Sequence, residues 1–307
     1  MTKHDEARTI EEALDRIRRD QPSLKPIADA FQVLLVSRAV LKAGMPDCQG
    51  RQLPSPDAKK LSEGVPVLTG DELAGLMDPW GERAASTIAP LARAFPGLEA
   101  EIRRLKESLD KGESDLGHCM RALMKDDDAE LGPMASRLVV PLPVLRFLLG
   151  QILKPFVEKK TQPLHAAVRR LPWHRGYCPV CGAFPEITYL QGEGGQRWLR
   201  CSLCGHEWQF NRMLCPRCET QGQKKNLIYV EGRRDEFAEL CASCGRYIVG
   251  LDLREHIGES ITAASAIGLV HLDIMAQERG YSPVASCAWN MVESSHGGPE
   301  GKKLERQ

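Results

Sequence analysis

The chain has 307 residues, with 41 basic and 41 acidic side chains, and 42% of it is hydrophobic. That apolar share supports a packed core and excludes a disordered chain, and the length allows about two domains, or three if one is small and metal-stapled. A formal net charge of +0 argues against binding nucleic acid through bulk electrostatics.

The N-terminus, Met1-Thr-Lys-His-Asp-Glu-Ala-Arg, opens into charged residues with no apolar core for a signal peptide. Arg18-Arg19 is followed by Asp-Gln-Pro rather than an apolar run, so it does not read as a twin-arginine export signal. A first amphipathic helix is expected where Ile10, Leu14 and Ile17 form one stripe. A second should run from Pro26 to about Lys42, with Ile27, Phe31, Leu34 and Leu35 facing a core. Gln49 to Pro66 contains Pro54, Pro56 and Gly64 and reads as an exposed connection. Further helices are expected over Asp71 to Met77, Gly81 to Ala94, Leu98 to Leu109, Leu116 to Met124 and Leu138 to Val157, forming a bundle. The apolar stretch from Leu138 to Leu153 is interrupted by Pro141, Pro143, Arg146 and Gly150, which speaks against a bilayer span. These features predict a soluble, cytoplasmic, reduced protein.

From Leu171-Pro-Trp-His onward the composition changes. Gly, Pro and Cys become frequent, and short β-type runs replace the helical period: Ile187-Thr-Tyr-Leu, Arg197-Trp-Leu-Arg, Glu207-Trp-Gln-Phe, Leu227-Ile-Tyr-Val and Tyr247-Ile-Val. A helix should return from about Glu259 to Arg279, with Ile261, Ala264, Ile267 and Ile274 on one face and Gly280 as its stop. The polar tail beyond it should be disordered.

Of the 11 cysteines, eight fall between Cys178 and Cys244 as four C-x-x-C pairs: Cys178/Cys181, Cys201/Cys204, Cys215/Cys218 and Cys241/Cys244. In a reduced compartment such pairs are metal ligands rather than disulfides. Two thiolates separated by two residues grip an ion from one tight turn, and two such turns close a tetrahedral site. Gly182, Gly205 and Gly245 follow three of the pairs, where the turn calls for positive φ. The 19 residues between Cys181 and Cys201, and the 22 between Cys218 and Cys241, are each of hairpin size. Knuckle, hairpin, knuckle is the layout of zinc ribbons and rubredoxins. This pairs Cys178, Cys181, Cys201 and Cys204 around one ion, and Cys215, Cys218, Cys241 and Cys244 around a second, with a cross-braced pairing left open.

The fold expected is α+β. A helical domain occupies residues 1–172, a first rubredoxin-like or zinc-ribbon-like module 173–212, a second module with a C-terminal helix 213–290, and a disordered tail 291–307. Four-sulfur coordination suits iron or zinc, and spacing does not separate them. A closed site leaves no position for a substrate, and no nucleotide loop, Gly-x-Ser-x-Gly elbow or His-Glu-x-x-His pattern accompanies it. Gly192-Glu-Gly-Gly is expected in a hairpin turn rather than at a phosphate. His206 is read as a surface residue, and His118 and Cys119 as ordinary helix positions; Cys48 and Cys287 receive no role. Trp198, Trp208 and Phe210 should cover the small core of the hairpins.

Between Trp173 and Gly250 there are ten Lys/Arg and eight Asp/Glu. Eight thiolates on two divalent ions bring this region to about −2 and the whole chain to about −4. That balance favours a protein partner over nucleic acid.

Cys178-Pro-Val-Cys-Gly-Ala-Phe-Pro, Arg197-Trp-Leu-Arg-Cys-Ser-Leu-Cys, His206-Glu-Trp and Arg212-Met-Leu-Cys-Pro-Arg-Cys resemble the FdhE-type formate dehydrogenase accessory proteins. Cys241-Ala-Ser-Cys-Gly-Arg-Tyr and Glu278-Arg-Gly-Tyr fit the same pattern. The resemblance is specific from about Trp173 to Asn290; before that it extends only to a helical domain of similar size. It implies a cytoplasmic, non-enzymatic assembly chaperone with two rubredoxin-like iron centres at the eight cysteines. Such a protein binds the catalytic subunit of respiratory formate dehydrogenase before export. A rubredoxin-like electron carrier is the alternative, and a nucleic-acid-binding zinc ribbon a weaker one.

Overall fold

The computed structural model describes residues 5–45, 53–76, 81–125, 128–221, 225–256 and 261–290. Helices α1 (Asp5–Asp20) and α2 (Lys25–Gly44) pack together across a 3-10 turn at Pro22–Leu24. The expected stripe faces inward, with Ile10 and Leu14 buried on α1 and Phe31, Leu34 and Leu35 on α2. Short helices α3 (Ala58–Ser62) and α4 (Gly70–Gly75) precede α5 (Gly81–Ala94), α6 (Glu99–Asp110), α7 (Leu116–Lys125) and α8 (Asp128–Leu138). The long helix α9 (Leu142–Val168) touches α2, α5, α6, α7 and α8. Leu145, Leu148, Leu149, Leu153 and Val157 on α9 are fully buried, and each such side chain contributes roughly 2 kcal/mol of apolar burial.

The helical region departs from expectation in three places. Residues 57–62 are not all exposed connection: Asp57 caps α3 by accepting from the N–H of Lys59 at 2.8 Å, and Leu61 is buried. The stretch from Leu138 divides, because α8 ends at Leu138 and α9 begins only at Leu142. Helix α9 then runs through Pro155 and Pro163 to Val168 rather than ending near Val157, held by burial on most of its surface. Among the described residues no single helix is long and apolar enough to cross a membrane; α8 and α9 pass only as a pair bent by 101°.

Beyond the helices come strands β1 (Pro185–Gln191), β2 (Gln196–Cys201), β3 (Glu207–Gln209), β4 (Lys225–Val230), β5 (Arg233–Cys241) and β6 (Arg246–Asp252). They cover the runs read from the sequence and order as β3-β2-β1-β6-β5-β4. The two hairpin regions therefore join into one sheet, through a parallel pairing of β1 with β6. Gly250 makes that junction possible. It pairs with Thr188 on one side and Phe237 on the other, and a Cβ there would lie 2.6 Å from the Phe237 ring and 2.7 Å from Thr188 Cγ2.

A 3-10 turn (Ser265–Leu269) leads into α10 (Val270–Glu278), and β7 (Ser282–Pro283) then pairs with β6. The final helix is thus shorter than expected and begins with a tighter turn. Ala264 and Ile267 are buried as expected, but Ile274 is 40% exposed, because the change from 3-10 to α winding rotates the apolar face onto Val270 and Ala276. Residues 257–260, where that helix was expected to start, and the tail 291–307 lie outside the described residues.

The helices and the sheet share one hydrophobic core. Polar ties cross between them: Lys154 of α9 meets Glu186 of β1 at 2.8 Å, Gln21 donates to Gly268 O at 2.9 Å, and Arg233 donates to Asp20 O at 2.8 Å. Asp273 of α10 is buried at 1% exposure and accepts from the Tyr247 hydroxyl at 2.7 Å. Burial raises its carboxyl from the ordinary 3.8 to about 7. The folded chain therefore holds a proton that the unfolded chain releases, and stability falls as pH rises through that window. Asp273→Asn should remove this dependence: the wild-type melting temperature drops between about pH 4 and pH 7, whereas the variant stays level and gains on the order of 2 kcal/mol at the upper end.

Candidate metal centres

The four Cys pairs form four turns of one design. The residue after each second cysteine donates its N–H back to the carbonyl of the first: Gly182 to Cys178, Glu219 to Cys215 and Gly245 to Cys241 at 2.9 Å, and Gly205 to Cys201 at 3.3 Å. All four donors lie in the left-handed region, at φ +75° for Gly182, +69° for Gly205, +66° for Gly245 and +56° for Glu219. Glycine takes that conformation freely and glutamate does not. Glu219 holds it through its carboxylate, which accepts from the Gly176 N–H at 3.1 Å and meets Arg175 at 3.0 Å.

The turns gather the sulfurs into two groups. Cys178, Cys181, Cys201 and Cys204 form one and Cys215, Cys218, Cys241 and Cys244 the other, with all ligand atoms of a group within 4.8 Å of one another. The Sγ atoms of Cys178 and Cys204, and of Cys181 and Cys201, are 3.5 Å apart. In the second group Cys215 to Cys244 is 3.8 Å and Cys218 to Cys241 is 3.7 Å. An ion held at about 2.3 Å from four tetrahedral thiolates sets its sulfurs roughly 3.8 Å apart. Both groups fit that geometry and could hold two metal ions per chain.

Backbone N–H groups support the sulfurs. Val180 donates to Cys178 Sγ, Leu203 and Cys204 to Cys201 Sγ, and Arg217 to Cys215 Sγ, all at 3.4 Å. Burial and the neighbouring sulfurs push the Cys178 and Cys204 thiols well up. At Cys201 burial is outweighed by donation from the surrounding thiols, and that thiol falls well below its ordinary value. Four sulfurs so placed carry full negative charge together only on a cation.

The two groups differ in exposure. All four sulfurs of the first are buried, whereas Cys218 is exposed and Cys244 half-buried in the second. The first group is also covered from the helical side. Val67 donates to Pro179 O and Leu68 to Val180 O, both at 2.9 Å, and the Tyr177 hydroxyl donates to Gly64 O at 2.7 Å. The end of the segment expected as exposed connection, through Gly64, and Val67 and Leu68 just beyond it thus close over the first knuckle. A capping Asp57 followed by Ala-Lys-Lys-Leu was the sequence signal available for it.

His206 is not a surface residue. It is 4% exposed, stacks on Trp208 with ring planes 5° apart, and lies 4.8 Å from the His165 ring. Burial lowers His206 to about 3 and His165 to about 4, so both rings are neutral at neutral pH. Its own carbonyl accepts from the Cys201 N–H at 2.9 Å. Trp208 and Phe210 are buried and cover the hairpin core as expected, and Trp198 is half-buried. His118 is exposed and Cys119 is buried, its Sγ 3.6 Å from Met134 Sδ. Cys287 is buried too, and among the described residues none of these three joins a ligand group. Cys48 lies outside the described residues.

The family model described as "FdhE, central domain" matches residues 177–212, the span that contains the first sulfur group. A curated relative named "Protein FdhE homolog", from Aquifex aeolicus, is 32% identical over 146 residues, 46% of this chain and 50% of that protein. "Protein FdhE" from an Escherichia coli strain is 34% identical over 110 residues, 35% of each chain. The chain thus spans half or less of the length of these relatives in the matched regions. "The crystal structure of the FdhE protein from Pseudomonas aeruginosa" has the same fold, with a TM-score of 0.67 over 94% of this chain and 96% of that one at 21% identity. The chain resembles the FdhE proteins. The family model's match lies on the first sulfur group, and the fold likeness extends over the helices as well.

The difference in exposure gives an ordered loss of metal. Titrating the loaded FdhE-like chain with a chelator should release ions in two phases, the exposed second site first. Cys215→Ser should abolish the fast phase, and Cys178→Ser the slow one, each lowering the metal content by one ion per chain. Glu219→Gly keeps the φ of its turn but loses both carboxylate contacts, so it should retain metal and cost on the order of 1 kcal/mol in urea unfolding.

Proposed function

We propose that this protein is a cytoplasmic, non-catalytic accessory factor for the assembly of respiratory formate dehydrogenase. It binds the catalytic subunit before export, and iron occupies both four-cysteine sites. The observation that carries this reading is the coincidence of the FdhE-like sequence, residues 177–212, with the first sulfur group. The FdhE-like fold over 94% of the chain adds to it. Four protein ligands at each ion leave no open coordination position, which supports a structural centre over a hydrolytic one.

The test is capture and loss. Tagged protein should retain the formate dehydrogenase catalytic subunit from cells making it, and deletion should bring respiratory formate dehydrogenase activity near background. Normal activity in the deletion strain would contradict the proposal.

A second reading, a rubredoxin-like electron carrier, draws on the exposure of Cys218. Loading the chain with redox-inert zinc separates the two. Assembly activity persists with zinc if the sites are scaffolds and disappears if they carry electrons.

A further inference from the structure

A groove of about 660 Å³ lies where the N-terminal part of α9 meets both metal-site regions, and the segment from Pro283 to Trp289 forms another wall. The chain as a whole balances its charges, but this groove does not. Among the described residues Lys125, Arg146, Lys154, Arg217 and Arg246 line it against the single carboxylate of Asp128. Asp128 is taken by Arg146 at 2.5 Å, and Lys154 is taken by Glu186 at 2.8 Å. Arg217 and Arg246 have other neighbours. Arg217 reaches out of the second site's knuckle to lie 4.3 Å above the Phe184 ring, and Arg246 donates to Pro283 O at 3.1 Å. Leu142 and Pro143, at the N-terminus of α9, also line the groove and add the partial positive charge of a 27-residue helix. Trp289 lines it as well; its indole N–H is buried and has no acceptor among the described residues.

Between the cations the walls are apolar. Leu142, Phe184 and Leu203 are each only half-buried there. Charges spread along a trough and separated by apolar side chains do not converge on one phosphate; they match an extended chain that alternates carboxylates with apolar groups.

We propose that this groove receives an extended acidic segment of a protein client. One apolar side chain seats among Leu142, Phe184 and Leu203, and flanking carboxylates meet Arg217 and Arg246. The inference rests on the assembly reading, since it names the part of the client that this chain would hold. It also links the metal sites to recognition, because knuckles of both sites form walls of the groove and its shape depends on both.

The experiment uses the full metal-loaded chain and an array of short overlapping peptides covering the formate dehydrogenase catalytic subunit. Peptides in which Asp or Glu flank an apolar residue should bind, more weakly as salt rises. Arg217→Glu should weaken the best peptide roughly tenfold or more, and Arg217→Lys should restore much of the binding. Metal content and the visible spectrum check that the variants keep their sites. Leu142→Asp, on α9 rather than in a knuckle, should weaken binding in the same way should Arg217→Glu disturb its knuckle. Hits without acidic bias, unchanged affinity in Arg217→Glu and Leu142→Asp, or binding of inorganic phosphate in place of peptide would each overturn the proposal. If the intact subunit still co-purifies with both variants, the groove is wrong and the assembly reading stands. If it never co-purifies with the wild-type chain, the assembly reading itself fails.

Discussion

Everything in the second half of this molecule depends on bringing four thiolates to one point, twice. Each turn solves the problem in the same way, with a left-handed residue after the second cysteine returning its N–H to the first. That conformation aims two sulfurs inward and leaves backbone N–H groups to stabilise their charge. The hairpins between the turns then serve as spacers whose length is set by the need to return to the ion.

The joined sheet makes the two centres parts of one body. Arg197 of β2 is buried and reaches Glu239 of β5 at 2.5 Å, where Lys225 of β4 also arrives at 2.7 Å. A buried pair of this kind is costly to break, because either partner alone leaves an uncompensated charge. On the helical side Glu158 lies among Lys42, Lys154, Arg38 and Arg200, which outweigh burial and lower its carboxyl to about 2. These networks fix how the ribbons sit on the bundle. They also make the two sites unequal: the first is enclosed between sheet and helices, and the second opens at Cys218.

Much of this was legible in the sequence, and the limits are physical. The ligand spacings and the period-two runs are local signals, so the strands could be placed closely and the turns anticipated at Gly182, Gly205 and Gly245. Glu219 hid among ordinary residues because its left-handed backbone is held by Gly176 and Arg175, some 40 positions away in the chain. His206 read as exposed because its burial comes from His165 and Trp208, which only the docking of α9 on the ribbon brings together. The parallel pairing of β1 with β6 is likewise non-local. In the helical half, the long helix expected from Leu138 to Val157 ends too early. A core helix packed on several sides continues through Pro155 and Pro163 to Val168, which local sequence does not announce.

At the centre stand two four-sulfur groups, each able to hold one ion. Elemental analysis combined with X-ray absorption on the intact protein tests them most directly. Two iron ions per chain are expected, each with four sulfur neighbours at about 2.3 Å and no lighter ligand. A single ion per chain, or nitrogen or oxygen in the first coordination sphere, would contradict this.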